Sequence, residues 1–146
     1  MAAIKTVKVT GSGPEGWVVT TKAGEHTSII DQPEAMGGTN KGPSPLDYLF
    51  VSLGGCLITI AKMVAMQKKI NLRQVEVEVS GDVDLEVLRG QNTEDRAGFT
   101  NVTASLKVDA DLTDEEKEAF IEEVDRRCPI SDNIANTTPI TVNLVK

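Results

Sequence analysis

A chain of 146 residues, 40% of them apolar, is long enough for one domain with its own core. Its 22 acidic side chains outnumber 15 basic ones, and no lysine–arginine cluster interrupts the net charge of −7, which excludes a nucleic-acid partner. The opening MAAIKTVKVT has no charged leader followed by an apolar core, so no signal peptide is expected and the chain reads as cytoplasmic.

The N-terminal third reads as a β-meander. Ile4–Thr10 is strand-like, Gly11-Ser12-Gly13-Pro14 reads as a turn, and Gly16–Thr21 is a second β-rich run. Ala23-Gly24 turns the chain into His26–Asp31. Gln32–Pro43, with Pro33, Gly37, Gly38 and Gly42, is a loop that delivers the chain to a helix. His26 is the only histidine, so a His-based metal cluster is excluded, and nothing implies a metal or an organic cofactor.

The stretch GPSPLDYLFVSLGGCLITIAKMVAMQKK, from Gly42 to Lys69, is predicted to hold the central helix. Ser44 can cap it, Pro45 suits its first turn, and Asp47 lies where a capping box needs its acid. The segment is apolar nearly all round, so something must cover both of its sides. It is long enough for a membrane span, but Gly54-Gly55, Ser52, Thr59 and Lys62, with flanking strands of a soluble type, argue for a buried helix instead. At about 100° per residue, Tyr48, Ser52, Gly55, Thr59 and Lys62 share one narrow stripe, with Cys56 at its edge. Two glycines inside a helix cost roughly 0.8–1 kcal/mol each relative to alanine, which predicts that something, such as a packed strand, approaches the helix backbone closely beside Cys56.

After the helix, Val75, Val77 and Val79 alternate with Glu76, Glu78 and Ser80 in a half-buried strand expected to continue through Val83 and Leu85. Arg89–Gly98 reads as a solvent-exposed hairpin connection, and Val102, Ala104, Leu106 and Val108 as the returning strand. Thr113 and Glu116 predict a capping box for a second helix, ending at Arg126-Arg127. Pro129 can open a further short helix capped by Cys128, with Ser131 in its first turn. A thiol at a helix N-terminus beside cations is in a setting that favours thiolate. Alternation of Ile140, Val142 and Leu144 predicts a final strand.

The pattern GPSPLDYLFVSLGGCL, followed near the C-terminal end by CPISDNIANTTPITV, resembles the OsmC/Ohr superfamily, and within it the OsmC-like branch with a PSP-x-[ED]-LL-x-x-x-LGGC helix. The resemblance runs from the meander to the last strand and implies a single OsmC-like domain over residues 1–146, of class α+β: a β-meander, a long buried central helix, a second sheet segment and a further helix. It implies an intertwined homodimer in which strands of both chains cover the central helices. It also implies thiol-dependent reduction of hydroperoxides, with Cys56 as the peroxidatic and Cys128 as the resolving cysteine at a dimer interface. A small apolar hydroperoxide or other apolar ligand and an external dithiol reductant are the implied partners. Family peroxidases hold the attacking thiolate with an N-terminal arginine, whereas this chain has no arginine before Arg73. Lys8, Lys22, Lys41, Arg126 and Arg127 are the candidate replacements. The family acid sits ten residues before the cysteine, where this chain has Leu46; Asp47 reads as the capping acid of its own helix. Other cysteine redox chemistry, such as disulfide exchange, and non-enzymatic binding of a small ligand are therefore the alternative readings.

Overall fold

The computed structural model describes residues 2–146. Contacts divide the chain into two compact units, Met1–Leu49 and Phe50–Lys146.

In the first unit β1 (Thr10–Ser12), β2 (Val19–Ala23) and β3 (His26–Ile30) form an antiparallel sheet in sequence order. Ala23 and His26 pair across the two-residue turn Gly24-Glu25, where Gly24 takes a φ of 60° that a side chain would resist. The meander is as expected, but its first strand is shorter and later. Residues 4–9 are irregular, with Ile4 and Val7 exposed, and Gly11-Ser12 lies in β1 rather than in a turn. Among the described residues of the unit, nothing pairs the backbone ahead of Thr10, so its apolar alternation has no strand to join.

The loop beyond β3 is organised by Asp31, which has no exposed surface. Its carboxylate accepts hydrogen bonds from Gln32 N–H (2.7 Å), Thr39 N–H (3.2 Å), Lys41 N–H (3.0 Å) and the Thr39 hydroxyl (2.6 Å). The Thr39 hydroxyl is the leading cause that lowers its pKa from 3.8 to about 2, with the backbone N–H groups adding to it against the opposing effect of burial.

Helix α1 (Pro45–Lys68) opens as the sequence predicts. Ser44 Oγ accepts from Asp47 N–H at 3.2 Å, while Asp47 Oδ2 accepts from Ser44 N–H at 2.9 Å. The Tyr48 hydroxyl donates to Ile29 C=O at 2.7 Å and ties the first turn to β3.

The second unit holds the rest of α1, β4 (Leu72–Asp82), α2 (Leu85–Leu88), β5 (Asn101–Ala110), α3 (Asp114–Arg127) and α4 (Pro129–Ala135). β4 and β5 form an antiparallel pair in which Val75, Val77 and Val79 face Val108, Leu106 and Ala104. Their shared apolar face meets Leu53, Leu57, Ala61, Val64 and Ala65 of α1 and Phe120 and Val124 of α3. Burying each large aliphatic side chain contributes about 1.5–3 kcal/mol. The Thr113–Glu116 capping box of α3 forms as expected.

Two expectations are corrected here. β4 ends at Asp82 and does not reach Leu85, because the Asp84 carboxylate accepts from Glu86 N–H at 2.8 Å and caps α2. The β4–β5 connection therefore carries a helical turn ahead of its charged loop. Ile140–Leu144 is not a strand: it is irregular and solvent-facing, with Val142 91% exposed. Within one chain, α1 is covered on one side. It is long and apolar enough to cross a membrane by length and composition, yet its buried face serves as the core of this unit. Its other face leaves Val51, Met63 and Met66 exposed.

The two glycines before Cys56 have different surroundings. A Cβ on Gly54 would lie 3.1 Å from Val77 Cγ1, so here the close approach is made by β4. A Cβ on Gly55 would meet nothing within 4 Å, because it points away from the core.

A cysteine pair as the candidate functional site

Cys56 sits two turns into the second unit's part of α1, at the border between its buried and open faces. Its helical neighbours Ser52, Gly55 and Thr59 are exposed, as the stripe read from the sequence requires. Cys128 occupies the joint between α3 and α4. Its N–H closes α3 by donating to Asp125 C=O at 3.1 Å, and its Sγ caps α4 by accepting from Ser131 N–H at 3.4 Å. Pro129 has no N–H to satisfy and fits the first position of α4. The Ser131 hydroxyl donates to the Asp125 carboxylate and secures the joint.

The structure brings the two thiols together. Cys56 packs against the buried cluster that includes Cys128, and the Cys128 thiol and the Ile130 N–H are the neighbouring groups that act on its titration. Both cysteines are free thiols, Cys128 fully buried and Cys56 partly exposed. Burial raises the pKa of Cys56 above that of an ordinary thiol, and the adjoining Cys128 thiol raises it further. The Ile130 N–H acts in the opposite sense, by stabilising a thiolate.

The arginines next to Cys128 do not serve Cys56. Arg127 donates to Gln67 Oε1 at 2.9 Å and to Glu123 at 3.4 Å. Gln67 lies eleven residues beyond Cys56 on α1, about 16 Å of helix rise. Glu123 also pairs with Lys68, which with Arg127 holds its carboxyl below the usual range. These groups clamp the end of α1 to α3. Arg126 is exposed, as are Lys8, Lys22 and Lys41, and the Lys41 backbone is engaged by Asp31.

Two features escaped the sequence reading, one at the cysteine pair and one in the loop of the first unit. The Ile130 N–H is a backbone group with no side-chain signature. Asp31 carried a signal that went unused: an acid closing the apolar run Ser28-Ile29-Ile30 must either be solvated or be satisfied within the fold.

Compared with protein families, residues 38–143 match the family described as OsmC-like protein, well over half of the chain. The chain belongs to the OsmC-like family. No curated protein matches this OsmC-like chain by sequence. Among solved structures, an OsmC-like protein from Mycoplasma pneumoniae superposes with a TM-score of 0.79 at 21% identity, covering 91% of this chain and 89% of that one. An organic hydroperoxide resistance protein OsmC from Legionella pneumophila gives 0.66 at 22% identity, covering 91% of each chain. The organic hydroperoxide resistance protein OhrB of Bacillus subtilis gives 0.60 at 24% identity, covering 92% of this chain and 94% of that one. At these identities the likeness establishes an OsmC-like α+β fold for the chain.

Proposed function

We propose that this protein is a stress-related thiol peroxidase of the cytoplasm that reduces organic hydroperoxides with Cys56 and Cys128. The observation that carries the reading is the meeting of two free thiols, one partly open and one buried, at the joint of α1, α3 and α4. The Cys56 thiolate attacks the terminal oxygen of the hydroperoxide, the O–O bond breaks to leave a sulfenic acid on Cys56, and the departing alkoxide takes a proton from solvent to become an alcohol. The Cys128 thiol then condenses with the sulfenic acid, forming the Cys56–Cys128 disulfide and one water. An external dithiol returns both cysteines to thiols. The aliphatic surroundings of Cys56 favour an apolar hydroperoxide over hydrogen peroxide.

The working unit is a homodimer of single-domain chains. Three features of the chain support this: the open face of α1, the free approach at Gly55, and the unpaired apolar alternation at both ends, where Ile4, Val7, Ile140 and Leu144 are exposed. Such surfaces are rare on a lone soluble chain and common at obligate interfaces.

Mass spectrometry after one equivalent of an alkyl hydroperoxide tests the chemistry. The wild type is expected to form a Cys56–Cys128 disulfide, and Cys128→Ser to accumulate sulfenic acid at Cys56. If both thiols stay reduced for hours while a competent family member reacts at once, peroxide reduction is wrong.

A second reading, disulfide exchange at the same pair, is favoured by one observation: the chain has no arginine before Arg73 to organise attack on a peroxide. It predicts rapid exchange with small disulfides and no turnover of peroxide.

A further inference from the structure

We propose that Glu123, with Lys68 and Arg127, is a positioning residue for the cysteine pair: it locks the end of α3 onto the end of α1 and so holds Cys128 beside Cys56. This rests on the cysteine-pair reading above and names the side chains that set the encounter.

Cys56 and Cys128 stand on different helices, so their meeting depends on how α3 lies on α1. The contacts between those helices are of two kinds. Phe120 and Val124 of α3 share a buried cluster with Leu57, Ala61, Val64 and Ala65 of α1. Apolar burial is non-directional, and by itself it selects closeness rather than one rotation of α3.

The second kind is directional. Glu123 pairs with Lys68 of α1 and accepts from Arg127 Nη1 at 3.4 Å. The same Arg127 nitrogen donates to Gln67 Oε1 at 2.9 Å. Two successive residues of α1 are thereby tied to two residues of α3 that stand one turn apart. Arg127 is the residue next to Cys128, so the clamp ends one peptide away from the thiol it places. Glu123 is the covered centre of the network, with 21% of its side chain exposed against 52% for Lys68. Lys68 first and Arg127 second hold its carboxyl below the usual range, so it is ionised wherever the thiols react.

Among the described residues, the ion pairs outside this network are those of Arg73 with Asp109 and Asp111 and of Lys107 with Glu76, all within the β4–β5 hairpin and its end. Exposed pairs add little to overall stability. Loosening the clamp therefore leaves the fold in place while the two thiols meet less often.

The test measures that meeting without peroxide. Protein is equilibrated anaerobically with mixtures of reduced and oxidised glutathione, quenched in acid and scored by mass spectrometry for the Cys56–Cys128 disulfide. One glutathione disulfide becomes two glutathione thiols for each protein disulfide formed, so the midpoint gives the effective concentration of one thiol at the other. Glu123→Gln and Lys68→Gln are each expected to lower it about fivefold with unchanged circular dichroism. Lys107→Gln, which removes the 3.7 Å pair of the hairpin, is expected to leave it at the wild-type value. Salt at about 1 M, where the screening length is about 3 Å, is expected to bring the wild type toward Glu123→Gln and to leave that variant unmoved. In a Cys128→Ser background, Glu123→Gln is expected to leave the rate of Cys56 with Ellman's reagent unchanged, because the clamp places the partner thiol and does not activate Cys56.

Wild-type values in both clamp variants overturn the inference. So does an equal fall in Lys107→Gln, which marks a general loss of stability, or a change in the Cys56 rate by the same factor. Each of these leaves the cysteine pair standing. If the wild type forms no Cys56–Cys128 disulfide at any glutathione ratio, the pair reading and this inference fall together.

Discussion

Asp31 is the most heavily engaged side chain of the first unit, and its charge holds the loop that leads to α1. Four donors point at one carboxylate, so the ionised form is favoured and the pKa falls from 3.8 to about 2. A depressed pKa means that the folded state binds the proton less readily than the unfolded one. The stability it contributes is therefore fully present above about pH 4 and is lost as the pH falls through 2. Thermal melts between pH 5 and 2 are expected to show a falling midpoint in the wild type. Asp31→Asn is expected to lower the midpoint at neutral pH and to flatten that acid slope. Cys56 illustrates the opposite balance, in which burial and a neighbouring thiol outweigh one backbone donor.

At the scale of elements, glycine marks where α1 and the hairpin touch. A Cβ on Gly81 would stand 2.6 Å from Asn101 O and 2.9 Å from Phe50 Cζ, and the backbone carbonyl cannot move aside. Gly81→Ala is expected to cost on the order of 1–3 kcal/mol in denaturant titration. Gly54→Ala is expected to be nearly neutral, because a helix-propensity gain of about 0.8–1 kcal/mol offsets a tight contact with one valine methyl. Helix starts were legible because their chemistry is local: Ser44 with Asp47, Thr113 with Glu116, and Cys128 with Pro129 and Ser131 each lie within one turn. The β4–β5 register was legible in the valine alternation. The end of β4 was not, since Val83 and Leu85 continue the alternation while the Asp84 cap stops it. Nor was the meeting of Cys56 and Cys128, which depends on how α3 lies on α1 and has no signature in sequence spacing.

For the whole molecule, the two chain ends carry the information that a single chain cannot use. Strand alternation at Ile4–Thr10 and Ile140–Leu144 was read correctly as pattern, but a strand also needs a partner backbone, and neither segment finds one within its own unit. The dimer reading supplies that partner. Light scattering is expected to give a dimer for the wild type and a shift toward monomer for Val142→Asp and for Gly55→Arg, substitutions at positions where a lone chain has open space. A monomeric wild type would remove the dimer from the proposal.

The distribution of aromatic residues has a practical consequence. Trp17 and Tyr48, the only tryptophan and tyrosine, both lie in the first unit, and Trp17 stands 59% exposed with its indole nitrogen over Gly37. The unit holding both cysteines contains only Phe50, Phe99 and Phe120. Intrinsic tryptophan and tyrosine fluorescence therefore originates in the first unit. The unfolding of the two units is therefore separable by comparing that signal with far-ultraviolet circular dichroism, to which the helices and strands of both contribute.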